Sequence, residues 1–337
     1  MLLRLTALAV CTLLLGAAAS VSGEWAWHLP VGVAPPPVPV TNPMGDAKIA
    51  LGRRLFYEAD LSIDGTMACA TCHEQRHGFA DGNRTHAGVR GDAGRRNVPG
   101  LANVAWARTL TWADPRLTTL EAQVAVPVFG DHPIEMGMKG AEAEITHRLG
   151  KDGCYARMFR AAFPETGGRI DLPAVAAALA AFERILIARD APWDRFQRGK
   201  AGAISADAKQ GAALFATACA TCHSGPDLGD GAYRALDPAA QSADRGLSEV
   251  TGLATDAYRF RTPGLRNVAL TAPYLHDGSA PTLGEAIRRH APAVPEAGRL
   301  SADDMTKLTA FLDQLTDTAF VTDPRFALPD RACGKRL

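Results

Sequence analysis

Neither sign of charge dominates this chain. Thirty-six basic side chains face 36 acidic ones, for a formal net charge of zero. The missing basic excess argues against a nucleic-acid binder. Charged residues make up 21% of the chain and are spread along it, which argues against wholesale disorder. Long apolar runs are scarce too. One runs from Leu5 to Leu15, shorter than the roughly 20 residues a membrane-spanning helix needs. Strand-like alternation is nearly absent. What remains is 337 residues, 47% of them apolar, enough for about two domains of roughly 100–200 residues each.

The short apolar run has the layout of a secretory signal. Arg4 precedes it, and Ala17-Ala18-Ala19-Ser20 and Ser22-Gly23 offer small residues for cleavage. Residues 1–23 are therefore expected to be a cleaved signal peptide and the mature protein to be periplasmic. Cys11 lies inside the apolar run and is a poor lipid-attachment site. Residues 24–43 follow as a proline-rich arm. Six prolines between Leu29 and Pro43 suit an extended segment.

Seven cysteines less Cys11 leave six. Four of them form two copies of one hexapeptide, Ala68-Cys69-Ala70-Thr71-Cys72-His73 and Ala218-Cys219-Ala220-Thr221-Cys222-His223. Cys-x-x-Cys-His is the attachment signal of c-type haem. Two thiols about one helical turn apart form thioethers to the vinyl groups, and the adjacent histidine is held under the ring to ligate iron. A zinc site would want a second ligand pair nearby, and neither copy has one. A thioredoxin-like pair would not call for the trailing histidine twice. Two covalent haems are the expectation, with His73 and His223 as proximal ligands. Cys154 and Cys333 remain. An exported location permits a disulfide between them; two separate buried thiols are the alternative.

The chain also repeats itself. Asn97-Val98-Pro99-Gly100-Leu101-Ala102-Asn103-Val104-Ala105 resembles Arg261-Thr262-Pro263-Gly264-Leu265-Arg266-Asn267-Val268-Ala269. Thirteen residues beyond each proline stand Trp112 in one copy and His276 in the other. Each leads into a leucine-containing helix, Leu117 to Val126 and Thr282 to His290. The duplication implies two haem domains, 44–200 and 201–337, joined through Arg198 to Ala206. Leu172, Val175, Leu179, Phe182 and Leu186 keep a helical period, with Asp171 as N-cap and Pro173 in the first turn. Ser301 with Asp304 opens another helix, whose apolar face is Met305, Leu308, Phe311 or Leu312, and Leu315. The fold expected is mainly α, two cytochrome c-like domains with long loops.

These motifs carry a resemblance to the bacterial dihaem cytochrome c peroxidase and MauG superfamily over nearly all of the mature length. The matching residues are Leu51-Gly52-Arg53-Arg54-Leu55-Phe56, Cys69 to His73, Asn97, Trp112, Leu120-Glu121-Ala122-Gln123 and Ile134-Glu135-Met136-Gly137. In the second half they are Cys219 to His223 and Leu265 to Gly278. The resemblance implies an enzyme that reacts with hydrogen peroxide, one haem binding peroxide and the other handling electrons. The position of the distal histidine that caps the first haem in many of these peroxidases is Val89 here, so the first iron is expected to keep an open face. His86 lies three residues before it on a glycine-rich loop and could swing in; a solvated loop histidine is the alternative. The resemblance puts the distal position of the second haem at His290, fourteen residues after His276; a buried, hydrogen-bonded histidine is the alternative. Thr282 and Glu285 suggest a capping box for a short helix that puts His290 on its apolar face. A His223/His290 pair would close that haem to peroxide and lower its potential relative to a His/Met pair.

The resemblance further implies pocket roles for Glu135 and Gln123, with His132 as an added possibility. Cleaving peroxide calls for a proton moved between its oxygens, which is general acid–base work. Trp112 corresponds to the tryptophan between the haems. A calcium ion is implied at Asn97, Thr271 and Pro273, oxygen donors that suit that cation. Two activities follow. In the first, peroxide drives the dihaem unit to a high-valent state that oxidises a partner protein. The His290 ligand and the Leu315-Thr316-Asp317 … Thr322-Asp323-Pro324-Arg325-Phe326 segment are similar to the methanobactin-operon (MbnH-like) enzymes, which convert a tryptophan of a copper-binding, MbnP-like partner to kynurenine. In the second, peroxide is reduced with electrons from a small cytochrome c or cupredoxin. An electron-transfer protein without peroxide chemistry is a third reading, against which Glu135 and the open first haem argue.

Overall fold

The computed structural model describes residues 25–237, 239 and 242–336. The expected signal segment lies outside the described residues. The arm from residue 25 to Gly45 has no helix or strand, in keeping with its prolines. Among the described residues no helix is long and apolar enough to cross a membrane.

Two helix pairs organise the molecule. In the first half α1 (Asp46–Phe56) lies on α4 (Leu172–Glu183), with α2 (Glu142–Lys151) and α3 (Gly153–Ala162) beside them. In the second half α5 (Ala206–Ala218) lies on α7 (Ala302–Asp313), with the short α6 (Leu283–Arg288) nearby. The caps work as the sequence suggests. Asp171 accepts from Ala174 N–H at 3.0 Å, and Ser301 and Asp304 cap each other's backbone reciprocally. Val175, Leu179, Phe182 and Leu186 are buried, as are Leu308, Phe311, Leu312 and Leu315.

Both pairs cross at a glycine. A Cβ on Gly52 would collide with the Ala178 carbonyl and crowd Phe182; one on Gly211 would collide with the Lys307 carbonyl and crowd Phe311. Four residues on, Phe56 and Phe215 fill the core beside the crossing. The duplication is therefore three-dimensional, and the repeated Gly-x-x-Leu-Phe in α1 and α5 is its trace in the sequence. Because the obstacle is backbone rather than a yielding side chain, Gly52→Ala or Gly211→Ala should cost about 3 kcal/mol of stability. Urea unfolding of the holoenzyme checks this; an unchanged midpoint would contradict the close crossing.

The expected helix from Leu117 to Val126 is instead two short turns, Leu120–Gln123 and Ala125–Phe129. Pro127 has no N–H to donate back to Gln123, so one regular helix cannot run through. Among the described residues, strands are limited to two ribbons: β1 (Tyr233–Arg234) with β2 (Phe260–Arg261), and β3 (Arg331–Ala332) with β4 (Lys335–Arg336).

Each half sends a segment onto the other. After α4, Trp193 N–H donates to the Gln314 carbonyl at 3.0 Å and the indole packs edge-on against Phe311. After α7, Phe320 and Phe326 enter the first core beside Phe79. Gln75 donates to the carbonyls of Phe320 and Asp323, and Tyr57 to that of Phe326. A disulfide between Cys154 and Cys333, 179 residues apart, ties the tail to α3. Closing so long a loop restricts the unfolded chain, and Cys154→Ser should lower stability by about 3 kcal/mol. The check is unfolding with and without reductant, which should shift the native protein and leave the variant unmoved.

Candidate dihaem site

The two haem motifs are built alike. Each pair of thiols is free, and each histidine N–H donates back to the carbonyl of the first cysteine at 2.9 Å. Nδ1 of His73 lies 2.7 Å from the Phe79 carbonyl, and Nδ1 of His223 lies 3.1 Å from that of Leu228. A carbonyl only accepts, so Nδ1 carries the hydrogen and Nε2 keeps its lone pair for a metal. Phe79 and Leu228 adopt left-handed φ values of 61° and 52°, which turns those carbonyls back toward the imidazoles.

Asn103 and Asn267 hold these loops from across the molecule. Both are buried and left-handed, at φ 59° and 60°. Each takes one backbone N–H on its side-chain oxygen, from Ala188 and Asp317 respectively. Asn103 also donates to Asp227, next to the Leu228 that anchors His223. Asn267 packs against Gly78, next to the Phe79 that anchors His73. Each half thus steadies the proximal loop of the other.

A cavity of about 1040 Å³ holds the second motif, lined by Cys219, Cys222, His223, His290, Trp112 and His276 among others. Nδ1 of His290 is 2.8 Å from the Ala286 carbonyl, so its Nε2 is also free. The His223 and His290 ring centres are 6.2 Å apart. A metal–imidazole bond is about 2.0 Å and its nitrogen lies roughly 1.1 Å from the ring centre, so two imidazoles on opposite sides of one metal put their centres about 6.3 Å apart. The spacing suits a single metal between them. Burial, followed by the neighbouring His290, pushes His223 down to about 4. Burial also lowers His290 and His73. All three are therefore held toward the neutral, ligating form. Thr282 caps the helix before His290 as expected, but the Glu285 carboxylate pairs with Arg289 at 2.7 Å rather than completing a capping box.

Trp112 and its repeat partner His276 meet at Asn97. The indole Nε1 donates to the Asn97 carbonyl at 2.7 Å, and Asn97 N–H donates to the His276 carbonyl at 2.8 Å. The Arg261 guanidinium lies 6.0 Å from the Trp112 ring centre, and His276 stacks on Phe260. The Asn97 amide nitrogen donates to the carbonyls of Asn83 and Arg84, leaving its oxygen out of those bonds. Asn97, Thr271 and Pro273 line the same cavity.

At the first motif, Glu135 stands on a segment stitched on both sides. Met136 N–H donates to Pro127 and Met138 N–H to Val128, while Val89 N–H donates to the Glu135 carbonyl at 2.7 Å. Burial holds the Glu135 carboxyl above the usual carboxylate range, opposed by His86. Gln123 is half buried at the end of its turn. Val89 lies against Gly137. His132, by contrast, points away: its side chain is 91% exposed, so it takes no part in an enclosed pocket. His86 is not a free loop histidine either. Its Nδ1 is 2.6 Å from Asp81 Oδ2, and that carboxylate is fully buried. Sequence reasoning passed over Asp81, although it stands only five residues before His86. It also passed over Glu183, which burial raises to about 8 at the end of α4.

Residues 46–202 match the family described as di-haem cytochrome c peroxidase, and residues 208–316 match cytochrome c. The methylamine utilization protein MauG of Methylorubrum extorquens is 36% identical, aligned over 75% of this chain and 71% of its own. The cytochrome c551 peroxidase of Pseudomonas aeruginosa is 34% identical, over 82% and 80%. The cytochrome c peroxidase Ccp of Escherichia coli is 37% identical over 83% of this chain, which spans 60% of that longer protein. Among solved structures, a MauG-like protein associated with microbial copper homeostasis superposes with a TM-score of 0.84 at 38% identity, covering 91% of this chain and 100% of that one.

Proposed function

From its membership of the dihaem cytochrome c peroxidase and MauG family, to which this chain belongs, we propose that the protein uses hydrogen peroxide to oxidise a residue of a partner protein. The observation that carries this reading is the contrast between the two sites. The His223 and His290 ring centres are 6.2 Å apart, a spacing that suits two imidazoles on one metal, while the position at which the resemblance puts a capping histidine of the first haem is Val89, which cannot ligate iron. The solved neighbour's association with copper homeostasis supports an MbnH-like role, with a tryptophan of an MbnP-like copper protein converted to kynurenine.

Two covalent haems, held by Cys69, Cys72 and His73 and by Cys219, Cys222, His223 and His290, would supply the peroxide-reducing and electron-storing chemistry. The protein's own residues do the rest. Glu135 takes a proton from one peroxide oxygen and returns it to the other. Its raised pKa brings both carboxyl forms closer to neutral pH. Gln123 orients peroxide beside it. Trp112, locked by Asn97, gives electrons a fixed aromatic route between the halves. Asn97 Oδ1 and the Thr271 and Pro273 carbonyls would hold a calcium ion with several waters, steadying the same junction. The disulfide and the thioether motifs suit a periplasmic location.

The test is peptide mass spectrometry of candidate exported copper proteins after treatment with holoenzyme and peroxide. Conversion of tryptophan to kynurenine, dependent on both peroxide and enzyme, is the expected result. The relatives named as peroxidases favour a second reading, reduction of peroxide with electrons from a small cytochrome c or cupredoxin. Rapid turnover with such a donor and an unaltered partner protein would select it.

A further inference from the structure

The loop between the first haem motif and Asn97 carries a pair of groups that the mechanism above leaves unused. His86 Nδ1 is 2.6 Å from Asp81 Oδ2, with the Asp81 side chain fully buried and that of His86 24% exposed. The other Asp81 oxygen takes the backbone N–H and side-chain amide of Asn83 at 3.0 and 2.7 Å. Three donors around one enclosed carboxylate keep it aimed at the imidazole. With Nδ1–H held there, Nε2 is the nitrogen left to exchange protons. The loop cannot drift from Glu135: Val89 N–H is bonded to the Glu135 carbonyl, and Gly88 rests on the Ile134 carbonyl with no room for a Cβ. On the far side, Gly94 closes against the His86 carbonyl.

We propose that His86, positioned by Asp81, carries protons between solvent and the Glu135 carboxyl. Through water, Nε2 takes the proton off a protonated Glu135 and passes it to solvent, which restores the carboxylate that meets peroxide; it returns a solvent proton through Glu135 when peroxide oxygen leaves as water, so that no charge accumulates over a cycle. The partly exposed ring reaches water, and its bond to the buried Asp81 fixes it on the loop that is hydrogen-bonded to the Glu135 segment. The titratable groups around His86 are Asp81 on its own loop, Glu135 on the segment packed against it, and His73 of the haem motif. Those around Glu135 are His86 and the Cys72 sulfur. This inference rests on the catalytic reading of Glu135.

The experiment is an infrared titration of the Glu135 carboxyl band in resting holoenzyme, the band being identified by its loss in Glu135→Gln. In His86→Leu the band should titrate higher by about half to one pH unit, because the neighbour that opposes the burial shift of Glu135 has gone. The acid limb of kcat/KM for peroxide should move with it, and the plateau should fall about tenfold. The resting haem spectrum should stay unchanged. Asp81→Asn should move the band the same way by less; if that buried substitution prevents folding, His86→Leu decides alone. An unmoved band, or a moved band with unmoved kcat/KM, overturns the proposal. Should Glu135→Gln turn over peroxide at the native rate, the catalytic reading of Glu135 falls instead. The infrared shift requires no turnover, so the two failures are distinguishable.

Discussion

Glu135→Gln lowers kcat/KM for peroxide by about 10²–10⁴-fold, the range for loss of a positioned acid–base group. Glutamine keeps the shape and the backbone bond from Val89, so stability and haem content should be retained. The pH profile supplies the sign. A base works as the carboxylate, and burial raises the pKa of Glu135 above its ordinary 4.5. The native rate therefore falls as pH drops through that raised value, and the variant loses this limb. The measurement is stopped-flow reaction with peroxide across the acid range. A native rate that stays flat there, or a glutamine variant as fast as the parent, would remove Glu135 from the chemistry.

The second large effect is at His290. If His223 and His290 ligate one iron, oxidised holoenzyme contains one low-spin haem from that pair and one high-spin haem with an open face. His290→Ala should abolish the low-spin signal in electron paramagnetic resonance. His290→Met should keep a six-coordinate haem but raise its potential, by on the order of 0.1 V. The cavity around His290 is already formed and the ring lies behind Ala286, so either variant should fold. Persistence of the low-spin signal in the alanine variant would show that another group closes that haem. A native spectrum with two low-spin haems would mean that the first iron is capped as well. Oxidation of a partner would then lack its entry point for peroxide.

The contrast between His132 and His86 shows where reading residues in order loses information. Both are histidines on loops near pocket motifs. His132 extends into water, while His86 is drawn in by a carboxylate that the sequence places five residues away but does not mark as buried. Burial of Asp81 is a property of the packed loop, which tight contacts at Gly82 and Gly94 fold back on itself and which Gly88 presses against the Ile134 carbonyl. The Leu117 to Val126 stretch failed for a local reason that was visible all along: a proline at 127 ends the ladder of hydrogen bonds.

Covalent attachment needs its residues adjacent, so two Cys-x-x-Cys-His hexapeptides announce themselves without a fold. Helix caps and apolar periods are likewise short-range, which is why α4, α7 and the inward face bearing His290 follow from local residues. Every pairing of residues distant in sequence was decided in three dimensions. The approach of His223 and His290, the crossed tails, the Cys154–Cys333 bond and the grip of Asn103 and Asn267 on each other's loops join residues roughly 65 to 270 positions apart, with partners chosen by packing rather than spacing.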